Sequence, residues 1–136
     1  MNKKESFAKF GVQQVNERWS WSGLSKDGQT LVLTLWSDQY SFDKESKIFR
    51  WSNFGCENEL WIADAGNTHR IRDISFALEH LDGRFRAIRV EPEMHLLPER
   101  VIRKVNPITH LEWQITDFDI NTGECAGESF PEKRPF

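Results

Sequence analysis

The sequence predicts an α+β domain in which a mostly antiparallel, curled sheet or partial β-barrel carries one main helix. Three observations indicate this class: segments with strand periodicity recur, turn residues separate them, and one segment alone has clear helical periodicity. The chain has 136 residues, a length that fits one domain with a sizeable core. We expect a single domain over residues 1–136, with a loose lead-in over about 1–14 and a loose tail over 131–136.

The first two strands are predicted within residues 18–36. Tryptophan and serine alternate from Arg18 to Ser22, and Leu31–Trp36 is rich in apolar and β-branched residues. Asp27-Gly28 lies between the two segments and is typical of a tight turn, because glycine readily adopts a positive φ. We expect an antiparallel hairpin whose second strand is central, since both faces of that strand are apolar.

The stretch from residue 37 to residue 66 is predicted to be mostly irregular. Residues 37–47 are polar and loop-like, and Ile48–Trp51 indicates a short third strand. Trp61 and Ile62 lie in the irregular segment that follows. We expect these two side chains to hold that segment against the core.

The clearest helix follows Gly66. Asn67 or Thr68 can cap it, and Gly83 stands where helices often end in the left-handed conformation. The apolar residues of this segment recur at intervals of three and four, which predicts a single buried stripe facing the sheet. These residues are Ile71, Ile74, Leu78 and Leu81.

The last third of the chain is predicted to return to β-structure. Phe85–Val90 indicates a strand, and Leu111–Ile115 alternates cleanly and can extend through Phe118. A hairpin turn at residues 121–123 then leads to a short last strand ending near Phe130. Residues 93–107 are ambiguous, with a short strand or a helical turn at 100–104.

Charge and cysteine content narrow the classes of function. The net charge of −3 at pH 7 argues against a strongly electrostatic, sequence-blind binder of nucleic acid. Two cysteines, Cys56 and Cys125, are too few for a disulfide framework or a thiolate zinc site. Residues 1–14 lack the apolar run of a signal peptide, and no stretch has the roughly 18 apolar residues of a membrane helix. We expect a cytoplasmic protein without membrane contact.

No arrangement of residues predicts catalysis, a metal or another cofactor. The four histidines lack metal-ligand spacing, and His69 and His80 lie eleven residues apart on the predicted helix. The carboxylates and lysine of residues 43–47 are similar to nuclease groups but lie in a predicted loop. Cys56 has no motif around it, and a lone cysteine usually packs. We therefore expect a protein that is not an enzyme.

The tryptophans and arginines are the unusual features. Six tryptophans exceed what a small core readily buries, so Trp21 or Trp36 can serve as a stacking wall, although core packing explains at least half of the six. Arg70 and Arg72 fall in the first turn of the predicted helix, where free N–H groups favour anions. The alternative to an anion site is that both arginines form ion pairs with nearby carboxylates. Two further arginines, at positions 84 and 86, share a face of the following strand and are expected to be solvated.

Several stretches together resemble a bacterial family of small uncharacterised domains that occur alone or ahead of an HNH-type endonuclease domain. The resemblance covers most of the chain and implies a nuclease partner but no established activity. The stretches that carry it are residues 18–23, Leu31–Asp38, Gly66-Asn67 with Arg70, Phe85–Val90, and Asp119–Glu124. The size, the curled sheet and the aromatic content are also similar to PUA-like readers, including EVE and YTH modules, in which an aromatic pocket holds a modified base.

These observations lead to one functional hypothesis and one alternative. The hypothesis is a non-enzymatic module that binds DNA or RNA and reads a modified base in an aromatic pocket. Trp21 and Trp36 would form the pocket walls, Asp38 and Asn67 would hydrogen-bond a base edge, and Arg70 would hold a phosphate. The alternative is a protein-interaction or small-ligand-binding domain that uses the same aromatic patch.

Overall fold

The computed structural model describes residues 2–14, 21–55, 65–92 and 102–130. Its elements occur in the order helix, four strands, helix and three strands. They are α1 (Lys3–Lys9), β1 (Ser22–Leu24), β2 (Leu31–Trp36), β3 (Tyr40–Asp43), β4 (Ile48–Ser52), α2 (Ala65–His80), β5 (Arg84–Pro92), β6 (Ile102–Phe118) and β7 (Cys125–Ser129).

The seven strands form one open sheet with the order β1-β2-β5-β6-β7-β4-β3. Neighbouring strands are antiparallel except β2 and β5, which pair in parallel with Val32 opposite Arg86. The parallel pair requires a crossover, and the chain supplies it through β3, β4 and α2. The predicted α+β class with a dominant sheet is confirmed. The sheet is mixed, however, and it does not close into a barrel.

The two helices of the described ranges cover opposite faces of this sheet. On β2, Leu31, Leu33 and Leu35 belong to the core beneath α2, whereas Val32 belongs to the core beneath α1. We call these two surfaces the α2 face and the α1 face. The larger core, on the α2 face, contains Leu31, Leu33, Leu35, Trp51, Ile74, Ala77, Phe85, Ala87, Leu111, Trp113, Ile115 and Cys125. The central position predicted for β2, with apolar residues on both faces, is confirmed.

A helix occupies much of the predicted loose lead-in. The Asn2 side chain caps α1 by accepting a hydrogen bond of 2.8 Å from the backbone N–H of Glu5. Phe7 is completely buried in the core of the α1 face. This apolar anchor stabilises a helix of seven residues that would be marginal in isolation. The predicted tail, 131–136, lies outside the described residues.

β3 lies within the segment that was predicted to be a loop. Tyr40 and Phe42 stand on one face of the strand and pair with Trp51 and Phe49 of β4. The Phe42 and Phe49 rings pack edge to face with their centroids 5.1 Å apart. Four residues are too short a stretch for strand alternation to be recognised in a polar segment, so cross-strand aromatic pairing decides the conformation.

The helix α2 begins at Ala65, so Asn67 and Thr68 lie inside it and do not cap it. Its buried stripe is also displaced from the predicted one. Ile74 is completely buried, but Ile71 is only partly buried and Leu78 is 44% exposed. Arg70 takes the buried place predicted for Ile71, and Ala77 takes the one predicted for Leu78. The buried line is Asn67, Arg70, Ile74 and Ala77.

The end of α2 and the start of β5 lie close to the positions predicted from the sequence. Gly83 has a φ of +72° and donates its N–H to the carbonyl oxygen of Ala77 at 2.9 Å. β6 runs antiparallel to β5 from residue 102, so the ambiguous residues at 102–104 form a strand. Between Phe85 and Ala87 the register shifts, and β6 bulges around residues 109–112. None of the helices in the described ranges is long and apolar enough to cross a membrane.

Candidate functional site

The structure brings three of the five predicted site residues together on the α2 face. The guanidinium carbon of Arg70 lies 5.0 Å from the centroid of the Trp21 ring. Arg70 Nη2 donates a hydrogen bond of 3.1 Å to Asn67 Oδ1, and Asn67 Nδ2 donates one of 2.9 Å to the carbonyl oxygen of Thr122. We call Trp21, Asn67 and Arg70 the buried polar cluster.

This cluster connects α2 to the turn between β6 and β7. Gly123 in that turn has a φ of +83°, and a Cβ atom there would clash with Asn67 Oδ1. Glycine is therefore required both for the backbone conformation and for the close approach of the amide. Asn67 is fully buried and Arg70 is 5% exposed, so the two side chains present little surface to a ligand.

Arg70 and Arg72 do not lie in the first turn of the helix, the position from which a phosphate site was predicted. Because α2 begins at Ala65, Arg70 is its sixth residue and Arg72 its eighth, beyond the turn that carries the free N–H groups. Arg72 is exposed, whereas Arg70 points into the contact with Trp21. The cation–aromatic contact and the amide of Asn67 explain why an arginine occupies this buried position.

Trp36 and Asp38 lie apart from the buried polar cluster. The Trp36 side chain packs against the core of the α1 face, so the sheet separates it from the contact between Trp21 and α2. Asp38 is exposed in the turn between β2 and β3. Trp51 and Trp113 are core residues, as the packing interpretation expects. Six residues considered in the sequence analysis lie outside the described ranges: Arg18, Trp19, Cys56, Trp61, Ile62 and His95.

Next to this cluster, Asp73 connects β1 to α2. Its Oδ2 atom accepts a hydrogen bond of 2.6 Å from Ser22 Oγ and lies 3.4 Å from His69 Nε2. Burial raises the pKa of Asp73, against the opposing effects of the Ser22 hydrogen bond and the His69 charge. A hydrolase places histidine between the serine and the carboxylate, whereas here the carboxylate stands between the other two. Ser22 is also completely buried, so this trio holds the edge strand to the helix.

Two other side chains with potential reactivity, Cys125 and Asp43, lie in environments that indicate structural roles. Burial raises the pKa of the Cys125 thiol to about 12, so the nucleophilic thiolate is absent near neutral pH. The Asp43 carboxylate, part of the 43–47 group, accepts a hydrogen bond of 3.1 Å from Arg50 Nε. Within the part of the chain that the structure describes, no three histidine, cysteine or acidic side chains are grouped to hold a metal ion.

A site that the sequence did not indicate lies on the α1 face. It is a cavity of about 380 Å³ between the end of α1, the start of β2 and the paired strands β5 and β6. Lys9, Arg84 and Arg86 bring three cationic side chains to its wall, and Glu112 is the acidic one. The remaining lining residues are Phe10, Gln29, Thr30, Leu31 and Phe85. We call this site the basic cavity.

The two arginines of the basic cavity are each held against an aromatic ring. The guanidinium carbon of Arg86 lies 5.1 Å from the centroid of Phe10, and that of Arg84 lies 5.2 Å from the centroid of Phe130. Arg86 Nη2 also donates a hydrogen bond to the carbonyl oxygen of Thr109, which the β6 bulge turns towards it. These contacts fix the two guanidinium groups on one face of β5.

Glu112 offsets part of the positive charge. Its Oε1 atom lies 3.5 Å from Arg84 Nη1 in an ion pair whose side chains are 54% and 45% exposed, a degree of exposure at which such pairs are weak. The lining keeps an excess of positive charge although the whole chain has a net charge of −3. A local excess of this sign favours anionic ligands.

Strand alternation correctly places Arg84 and Arg86 on one face of β5. The two side chains were expected to be only solvated, but they line a cavity and pack against aromatic rings. The other parts of the basic cavity, Lys9 and Phe10, come from a segment some 75 residues earlier, and no periodicity links the two regions. Comparisons of the chain with protein-family models, with curated proteins and with solved structures find no match.

Proposed function

We propose that this protein is a non-enzymatic nucleic-acid-binding module that holds the phosphate backbone of its ligand in the basic cavity. The observation that carries the proposal is the convergence of Lys9, Arg84 and Arg86 on one concave site in a chain of net negative charge. Guanidinium groups bind phosphate oxygens through two parallel hydrogen bonds, and a lysine adds a mobile point charge. Such contacts position a nucleic acid without reading its sequence.

The surroundings of the cavity support the same ligand class. Phe10 and Phe130 supply aromatic rings beside the cations, a combination that suits a polymer with both phosphates and planar bases. Gln29, Thr30 and Glu112 supply hydrogen-bonding groups that can contact base edges or sugar hydroxyls. DNA and RNA are both candidate ligands under this proposal, with or without a modified base.

We also propose a nuclease partner and a cytoplasmic location for the protein. A module that binds nucleic acid without cutting it would serve a nuclease partner by bringing that enzyme to its substrate. Cys125 is a free, buried thiol, which fits a reducing cytoplasmic setting.

A small phosphorylated ligand is the second candidate. The cavity volume of about 380 Å³ falls within the range of small-molecule sites, which favours this alternative over a flat protein-interaction surface. A free nucleotide would use the same cations but would make no contact outside the cavity. Competition by nucleoside monophosphates separates the two candidates, because an oligonucleotide must bind more tightly than its monomer if the polymer is the ligand.

The test is a binding series measured by fluorescence anisotropy on unmodified, methylated and hydroxymethylated DNA and on RNA. Arg84→Ala should weaken binding to all of them and lower the salt slope by about 0.7 to 0.9, the contribution of one phosphate contact. Arg50→Ala is the matched control, because Arg50 is equally exposed at 54%, lies on a strand and pairs with carboxylates. It should leave the affinity unchanged. Absence of binding to every oligonucleotide at micromolar protein and low salt would refute the proposal.

A further inference from the structure

Resting on the proposed function, we propose that the ligand is an extended single strand that lies along β5, with adjacent phosphates on Arg84 and Arg86. The bases flanking these phosphates stack at Phe10 and Phe130. Nucleic acid in this form differs from a duplex in exposing the flat faces of its bases. The basic cavity and the two rings beside it offer a matching surface.

The spacing of the cations supports this geometry. Arg84 and Arg86 are two residues apart on one strand, so their Cα atoms are separated by roughly 6.6 Å at 3.3 Å per residue. This separation is close to that of neighbouring phosphates on an extended, unstacked strand. A rigid β-strand therefore presents two phosphate-binding side chains, Arg84 and Arg86, at the spacing of neighbouring phosphates in the nucleic acid.

Each of the two arginines carries one aromatic ring. Phe10 packs on Arg86 at 5.1 Å, and Phe130 packs on Arg84 at 5.2 Å. Both rings are only partly buried, so each can offer apolar surface to a base as well as to its arginine. Every base has a π-face, and aromatic stacking therefore holds single strands with little sequence preference. One ring beside each arginine therefore provides a base contact next to each phosphate contact.

A duplex suits this site less well. Its bases are stacked inside the helix and present only their edges, so they cannot reach Phe10 or Phe130 without being unpaired. The cavity also lies in a recess between α1 and the strand pair, and its volume of about 380 Å³ is on the scale of one small ligand rather than of a double helix. We expect a duplex to make only the phosphate contacts.

The experiment compares a fluorescein-labelled 12-nucleotide DNA single strand with a labelled hairpin in which the same 12 nucleotides are paired with their complement. The wild-type protein should bind the single strand at least tenfold more tightly than the duplex. Phe130→Leu, which removes the ring and keeps an apolar side chain, should weaken single-strand binding roughly tenfold with no change in salt slope. Phe42→Leu is the control, since Phe42 is a 50% exposed ring on β3, at the edge of the sheet. It should have no effect.

Arg84→Lys gives a second measurement that does not depend on removing a ring. Lysine keeps the charge but loses the planar stack, so the salt slope should be retained while single-strand affinity falls. Thermal unfolding of each variant checks the fold. If Phe130→Leu does not fold, Arg84→Lys alone decides, because Arg84 is an exposed side chain.

The outcomes separate this inference from the proposed function. Equal affinity for the single strand and the hairpin, with a normal salt slope, would leave nucleic-acid binding intact and remove the single-strand assignment. Unchanged single-strand affinity in folded Phe130→Leu or in Arg84→Lys would refute the stacking arrangement. Binding to neither form would overturn both proposals.

Discussion

Arg70 is buried between Trp21 and Asn67, whereas Arg84 is half exposed at the rim of the basic cavity. The same side chain therefore has different physical consequences at the two positions. A buried guanidinium is stabilised by its fixed contacts, and their loss affects the folded state. An exposed guanidinium contributes little to stability but remains available to a ligand.

Arg70→Ala should lower the free energy of unfolding by roughly 1–3 kcal/mol, because it removes a buried cation–aromatic contact and the hydrogen bond to Asn67. Urea unfolding followed by circular dichroism measures this change. Arg50→Ala, at an exposed position, should leave the unfolding transition close to that of wild type. If Arg70→Ala retained full stability but reduced the salt slope of ligand binding, Arg70 would instead be a phosphate contact.

The buried carboxyl of Asp73 predicts a pH dependence of stability whose sign follows from its raised pKa. Burial raises its pKa above the ordinary value of 3.8, so the folded state retains a proton that the unfolded chain has lost. The stability contributed in this way is complete below the unfolded pKa and is lost as pH rises through the folded pKa. The change amounts to about 1.4 kcal/mol for each unit of pKa difference.

Asp73→Asn keeps an oxygen that can accept from Ser22 and removes the titration. The variant should therefore gain stability relative to wild type as the pH rises from about 4 to 7, since only the wild-type carboxyl pays for ionisation in its buried site. Urea unfolding of both proteins at several pH values measures this difference. A second comparison in a His69→Gln background removes the imidazole that lies 3.4 Å from Asp73. A difference that moved in the opposite direction with pH would contradict the raised pKa.

The helix α2 shows at the scale of one element what periodicity predicts and what it cannot. The intervals of three and four correctly predict a helix, its approximate length and the burial of Ile74. Gly83, with its positive φ, correctly indicates that the helix ends just before it, at His80. They assign the wrong edge of the buried stripe, because an apolar pattern gives no weight to Asn67 and Arg70. Those polar side chains are buried because residues distant in sequence, Thr122 and Trp21, provide their contacts.

Ile74→Ala should cost roughly 2–5 kcal/mol, because the side chain is completely buried in the core of the α2 face. Leu78→Ala removes a similar side chain from the same helix at a position that is 44% exposed, and it should change stability by no more than about 0.5 kcal/mol. Chemical denaturation of the two variants provides the comparison. Equal losses would mean that Leu78 packs on the sheet after all.

At the scale of the whole molecule, local signals determine the strands but not their arrangement. The predicted hairpin of β1 and β2 and its turn at Asp27-Gly28 are present in the structure. Its first strand, Ser22–Leu24, overlaps the alternating segment Arg18–Ser22 only at Ser22, and residues 15–20 lie outside the described ranges. The parallel pairing of β2 with β5 depends on a crossover of some 50 residues, which no local pattern specifies. That pairing sets Arg86 opposite Val32, and α1 then covers the same face. The basic cavity is thus a product of topology.

Glu112 offers a test of the whole arrangement that does not depend on loss of binding. Its carboxylate lies in the basic cavity, 3.5 Å from Arg84, and opposes any anionic ligand. Glu112→Gln keeps the shape and most hydrogen-bonding capacity of the side chain while removing the charge. Unfolding of the variant cannot produce a gain in affinity, so an increase cannot be attributed to loss of the fold.

Glu112→Gln should strengthen oligonucleotide binding up to about fivefold at low salt, since partly exposed charges contribute on the order of 1 kcal/mol or less. The gain should shrink as salt is added, because the removed repulsion is screened. Glu128→Gln is the matched control: Glu128 also pairs with an arginine, Arg50, at 2.7 Å, and neither residue lines the basic cavity. Fluorescence anisotropy at several salt concentrations measures both variants. Weaker binding in Glu112→Gln would mean that the carboxylate accepts a hydrogen bond from the ligand, and an equal gain in Glu128→Gln would move the binding surface away from the basic cavity.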